Sequence, residues 1–214
     1  MSTLLPIDDE VAPRPSTQLA NPFCGWLLNV VVDEVDLGDA GKVKRECIKH
    51  PGAVAILALD DEGRIALVNQ YRHAVKTVMW EIPAGLLDCP GETPLATAQR
   101  ELAEEADLLA ARWDVLVDYL SSPGFCNEAI RIFLARDLTQ VPEADRHERG
   151  EEELAMQLRW VPLEDVAAAV LAGRLHSPSL AIAALAALAS RAAEWNTLRP
   201  ADAHWRHQPG TLPY

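Results

Sequence analysis

EIPAGLLDCPGETPLATAQRELAEEADL, Glu81 to Leu108, is the stretch that decides the fold. It holds five glutamates, and three of them, Glu101, Glu104 and Glu105, crowd into a single helical turn and a half. Thr93 followed by Pro94 is a helix start, with the hydroxyl free to cap and proline tolerated in the first turn. Leu95, Ala98, Leu102 and Ala106 then recur at three- and four-residue spacing, which predicts a helix with a narrow apolar stripe. At about 100° per residue, Glu101 and Glu105 fall on one face and Glu104 beside them. Like charges so placed cost about 0.2–0.5 kcal/mol per pair. Taken alone, ELAEE is more often a solvated face than a site. Here the acids stand beside a glycine-containing loop and next to Arg100, whose fork suits a bidentate hold on a carboxylate. Hard oxygen donors in such a ridge suit a divalent cation, and Mg²⁺ takes one or two carboxylates together with substrate phosphates.

Outward from this helix the chain alternates strand and turn. WLLNVVVDEVD (26–36) and KVKRECIKH (42–50) predict an N-terminal hairpin. GAVAILALD (52–60) is a fully buried strand, DDEGR a turn, and IALVNQYR (65–72) the returning strand. His73 to Val78 reads as a loop. WDVLVDYLS (113–121) and AIRIFLARDL (129–138) are strands joined by the loop SPGFCNE. EADRHERGEEE (143–153) is an acidic loop, and LAMQLRWVP (154–162) a further strand. LEDVAAAVLAG (163–173) and PSLAIAALAALASRAAEW (178–195) are helices, the first ended by Gly173. The order predicts an α+β chain, with a mixed central sheet covered by helices on both faces. The expected boundaries are a flexible leader over 1–20, a β-hairpin region over 21–52, the main domain over 53–198 and an irregular tail over 199–214.

Composition narrows the function. The net charge is −13 over 214 residues, and an acidic field repels nucleic acid and anionic membranes. An anionic small molecule then needs local cations or metal. Cys24, Cys47, Cys89 and Cys126 are scattered, with no CxxC pair. That pattern reads as free thiols in a reducing compartment. The leader carries acids and prolines where a signal peptide needs bases and an apolar run. SLAIAALAALAS is too short to span a bilayer. The expected location is the cytoplasm.

Gly85, Glu92 and Arg100-Glu101-Leu102-Ala103-Glu104-Glu105 together resemble the Nudix box, G-x5-E-x7-R-E-U-x-E-E-x-G-U, with U aliphatic. Glu92 and RELAEE fall in register, and Leu108 fills the last aliphatic place. There are two departures. Six residues separate Gly85 from Glu92, an insertion in a loop where length is cheap, and Asp107 replaces the final glycine. The resemblance implies the Nudix α/β/α sandwich over 53–198. It also implies hydrolysis of a nucleoside diphosphate linked to another group, with Mg²⁺ or Mn²⁺, two to three ions per site. By resemblance Glu101 and Glu105 are metal ligands, Glu104 assists, the carbonyl of Ala84 completes the set, and Glu92 partners Arg100.

The substrate follows from the same source. NQYRHAVKTVMWEIPAG is similar to the segment before the box in ADP-ribose pyrophosphatases. Pro123 lies sixteen residues beyond Asp107, the spacing of a marker proline in that subgroup, with Gly124 beside it. The N-terminal hairpin looks like the extra sheet with which those enzymes form homodimers. The resemblance thus implies cleavage of ADP-ribose to AMP and ribose 5-phosphate. Other sugar nucleotides (GDP-mannose, UDP-glucose) and a non-catalytic ADP-ribose sensor are the alternatives. The intact acids and the missing basic DNA-binding segment weigh against the sensor. Arg72 is the candidate phosphate or ribose contact, and Arg45 a second from the hairpin. Glu128 is a candidate for ribose hydroxyls, and Trp26 or Trp80 for stacking on adenine. The resemblance puts the catalytic base on the loop before the last strand, at Glu152, with Glu151 and Glu153 as its alternatives.

Overall fold

A short run of small and branched apolar residues with no polar break suits a strand covered on both faces, and Ala53–Ala58 (β4) is that strand. Val54, Ile56 and Ala58 face one core cluster and Ala55 and Leu57 face another, all with no exposed surface. The computed structural model of the chain describes residues 7–148, 150 and 156–209. The glutamates 151–153 expected to supply the base lie outside these described residues.

β4 runs parallel to Ala129–Gln140 (β9) and antiparallel to the short Ala84–Leu86 (β7). Leu108–Leu120 (β8) lies antiparallel on the far side of β9, and Arg199–Pro200 (β11) closes the edge. A second sheet, all antiparallel, sets Arg64–Arg72 (β5) between Leu158–Pro162 (β10) and Thr77–Glu81 (β6). The helix Pro94–Ala106 (α1) covers one face of this body. Leu163–Leu171 (α2) and Pro178–Ala192 (α3) cover the other. The sandwich of helices about a mixed sheet is the architecture expected. None of the described helices is long and apolar enough to cross a membrane.

Four differences from the sequence reading have physical causes. β4 and β5 are joined by a turn but form no hairpin ladder, only the single bridge Leu59–Ile65. The turn is tied by the Asp60 carboxylate, which accepts from the amides of Glu62 and Arg64, and it passes the chain from one sheet to the other. Second, Ser16–Cys24 (β1) is a strand that begins inside the stretch expected to be leader and runs into the expected hairpin region. It pairs with Asn29–Asp36 (β2), which pairs with Lys42–Lys49 (β3). β1 is exposed along its whole length, so no apolar periodicity marks it. Third, the loop expected to run to Val78 ends earlier, because β6 begins at Thr77. Finally, the tail has little regular structure but is packed. Trp205 is 3% exposed, and Ala201 and Ala203 join the core beside α1.

Candidate active site

The start of α1 is built by three side chains acting on one another. Thr93 Oγ1 accepts the amide of Ala96 at 3.2 Å, as an N-cap does. The hydroxyl of Thr97, buried inside the first turn, donates to Glu92 Oε2 at 2.9 Å. Arg100 then reaches back, donating to both oxygens of Glu92 at 3.2 Å. The same guanidinium donates through Nη1 to Glu101 at 2.7 Å and Glu104 at 2.9 Å. Arg100 therefore collects three carboxylates instead of the one expected. This pairing holds the Glu92 carboxyl below the usual carboxylate range, and the Thr97 bond adds to it. The acids in turn push the Arg100 pKa up.

Glu105 stands one turn on and is held differently. Its Oε2 accepts the amide of Ala84, at the start of β7, at 3.0 Å. Neighbouring Gly85 faces α1, and a Cβ placed there would overlap the carboxyl group of Glu101. Gly85 does not have a positive φ, so what glycine gives there is space for the Glu101 carboxyl and not backbone freedom. α1 ends where Asp107 adopts the left-handed conformation, φ 55°, with its amide bonded to the carbonyls of Leu102 and Ala103. Asp tolerates this conformation at the place where the box has glycine.

The donors suit a hard divalent cation: Glu101, Glu104 and Glu105 on one ridge, with the Ala84 peptide beside them and Gly85 leaving room for the Glu101 carboxyl. Among the described residues no three acidic, His or Cys side chains already converge as an ion cage. Arg100 and the Ala84 amide hold the carboxylates instead.

The other expected residues are distributed as follows. Arg72, at the end of β5, donates to both oxygens of Glu81 at 2.9 and 2.7 Å. Glu81 pairs in register with Val68, which puts its side chain on the α1 side of the small sheet. Trp80 is one residue away and so on the opposite face, half-buried against the core of α2 and α3. It is not brought together with the carboxylates. Trp26 lies in the β1–β2 turn, 90% exposed. Arg45 is exposed on β3 and donates to the carbonyl of Lys44. Pro123 and Gly124 sit in the exposed turn before β9. Glu128 follows that turn, with His50 Nδ1 at 3.5 Å. That nitrogen already accepts the Gly52 amide, so the contact is not an ion pair in this tautomer.

Two contributors were not anticipated. Thr97 has the weak signal of a hydroxyl five residues after Glu92. The space under Glu101 that Gly85 provides has no local signal, since only tertiary packing brings the two together.

The NUDIX domain family model matches residues 49–181. An ADP-ribose pyrophosphatase of Mycobacterium tuberculosis (strain ATCC 25618 / H37Rv) is 43% identical over 177 residues, 83% of this chain and 84% of that protein. An ADP-ribose pyrophosphatase of Bacillus subtilis (strain 168) is 41% identical over 143 residues, 67% of this chain and 75% of that one. A crystal structure of an ADP compounds hydrolase superposes with a TM-score of 0.68 at 20% identity, covering 86% of this chain and 98% of the other.

Proposed function

This chain belongs to the Nudix family, and from that premise we propose that it is an ADP-ribose pyrophosphatase, hydrolysing ADP-ribose to AMP and ribose 5-phosphate. Relatives of that activity align over most of the chain. The observation that carries the assignment to a place is the α1 ridge: Arg100 tying Glu92, Glu101 and Glu104, with Glu105 on the Ala84 amide.

Glu101, Glu104, Glu105 and the carbonyl of Ala84 are the groups that would hold divalent ions. We assign Mg²⁺ or Mn²⁺, two to three per site, whose chemistry is to offset the pyrophosphate charge and acidify water. Arg100 is a positioning residue that sets the carboxylates in their rotamers before substrate arrives. Arg72, held by Glu81 at the edge of the same face, binds a phosphate or ribose oxygen through its fork. Glu152, with Glu151 and Glu153 as its alternatives, takes a proton from water. The water oxygen bonds to one phosphorus, and the bond from that phosphorus to the bridging oxygen breaks. The electron pair leaves on the bridging oxygen, which stays with the other phosphate. Catalysis of this kind rests on positioning and charge stabilisation.

Glu128 and the turn at Pro123 and Gly124 are assigned to the ribose end, with Arg45 and Trp26 reaching substrate from the N-terminal sheet of a homodimer. Exposed Leu19, Phe23 and Trp26 on and beside β1 support that interface. Four unpaired thiols support a cytoplasmic location. The test is a panel of ADP-ribose, GDP-mannose and UDP-glucose, assayed for kcat/KM. ADP-ribose is expected to lead by at least about tenfold. A lead by either competitor overturns the substrate assignment.

A further inference from the structure

A cleft of about 390 Å³ opens on the face of the small sheet turned away from α1, between β6, β10 and α2. That size falls within the range of roughly 300–1,000 Å³ found for small-molecule sites. The registers Trp80–Asn69 and Arg159–Leu67 put Trp80 and Arg159 on this face, opposite to Glu81 and Arg72. The floor is apolar, with Leu67 and Leu175. Trp80 offers a half-buried indole, and the Arg159 guanidinium lies 6.0 Å from its ring centroid. Arg174 lines the cleft from the end of α2, where left-handed Gly173, φ 67°, turns the chain. Asp165 supplies one carboxylate at the wall.

The charge pattern points to a ligand. The chain carries 32 acidic residues against 19 basic ones, and nine other arginines, from Arg64 to Arg206, each meet an Asp or Glu. Arg159 and Arg174 are not engaged by a carboxylate among the described residues. Arg159 and Arg174, gathered with the half-buried Trp80 in one cleft, match a planar base attached to a phosphate. The indole stacks the base, the two forks take the phosphate, and Asp165 accepts from a ribose hydroxyl or a ring amine. We propose that this cleft is a binding site for a 5′-mononucleotide, separate from the α1 carboxylates. The choice of AMP as occupant rests on the activity proposed above, which releases it. Binding of AMP here gives product control from the far side of the sheet.

The experiment is calorimetric titration of AMP into the full-length protein in EDTA, with tryptophan fluorescence recorded in parallel. Wild type is expected to bind about one AMP per chain with quenching. R174A and R159A are each expected to weaken binding at least about tenfold, while Glu105→Gln binds as wild type. Initial-rate ADP-ribose hydrolysis by R174A, measured before AMP accumulates, stays within about twofold of wild type. AMP binding that ignores both arginine variants, or that is lost in Glu105→Gln, overturns the proposal, as does no binding at millimolar AMP. If arginine-dependent binding holds but no sugar nucleotide is cleaved, the cleft stands and the proposed activity falls.

Discussion

Gly85 shows how one missing atom defines this site. The Glu101 carboxyl occupies the volume a Cβ would take, so Gly85→Ala forces either the strand or the acid to move. The acid is the softer of the two, so the larger effect is expected on the placement of Glu101. The expected outcome is a fall in kcat of roughly tenfold or more, with Glu101 displaced from the ridge. A G85A protein with unchanged turnover would show that Glu101 does not work from this position. The glutamates were legible in the sequence because their spacing is local. The reach of Arg100 to three of them was only half legible: periodicity puts Glu104 one turn away, but the bond to Glu92 depends on how the loop before the helix closes. Trp80 was legible as an aromatic, but which face it takes depends on strand register.

At the scale of the element, α1 is held at its start by an ion pair whose strength depends on pH. The folded Glu92 carboxyl lies below its ordinary value of 4.5 because of Arg100 and Thr97. A depressed folded-state pKa contributes stability that is fully present above the unfolded value and is lost as pH falls through the folded one. Glu92→Gln is therefore expected to lower Tm at pH 7, and the gap to wild type should close as pH falls below about 4. Thermal melts of both proteins from pH 7 to pH 3 check this, and a gap that is independent of pH would contradict it. The helix itself was readable from Thr93-Pro94, the apolar stripe and Asp107, all signals within a few residues. β1 was not, because an edge strand exposed on all nine residues carries no hydrophobic period.

For the whole molecule, the two core clusters on opposite faces of β4 and β9 fix where the carboxylates and the arginine cleft lie relative to each other. The tail completes the α1 side. Buried Arg131 on β9 donates to both oxygens of Asp118 and to the carbonyls of Ala203 and His204, with the Trp205 ring 4.9 Å away. Trp205→Ala removes a buried aromatic and is expected to cost about 3–5 kcal/mol, read from urea unfolding. A loss under about 1 kcal/mol would show the tail to be dispensable. This packing was illegible because its partners lie some seventy residues apart in sequence. The layered sandwich was readable from the order of strands and helices, while the failure of β4 and β5 to pair was not. The proposed activity depends most on the α1 carboxylates being the place where ADP-ribose is cut. The most direct test compares wild type with Glu105→Gln, which keeps an oxygen for the Ala84 amide while removing the charge. With ADP-ribose and Mg²⁺, product chromatography is expected to show AMP and ribose 5-phosphate from wild type and a rate lower by roughly 10²-fold or more from a variant that still folds. Equal rates from the two folded proteins would show that ADP-ribose is not cut at the α1 carboxylates.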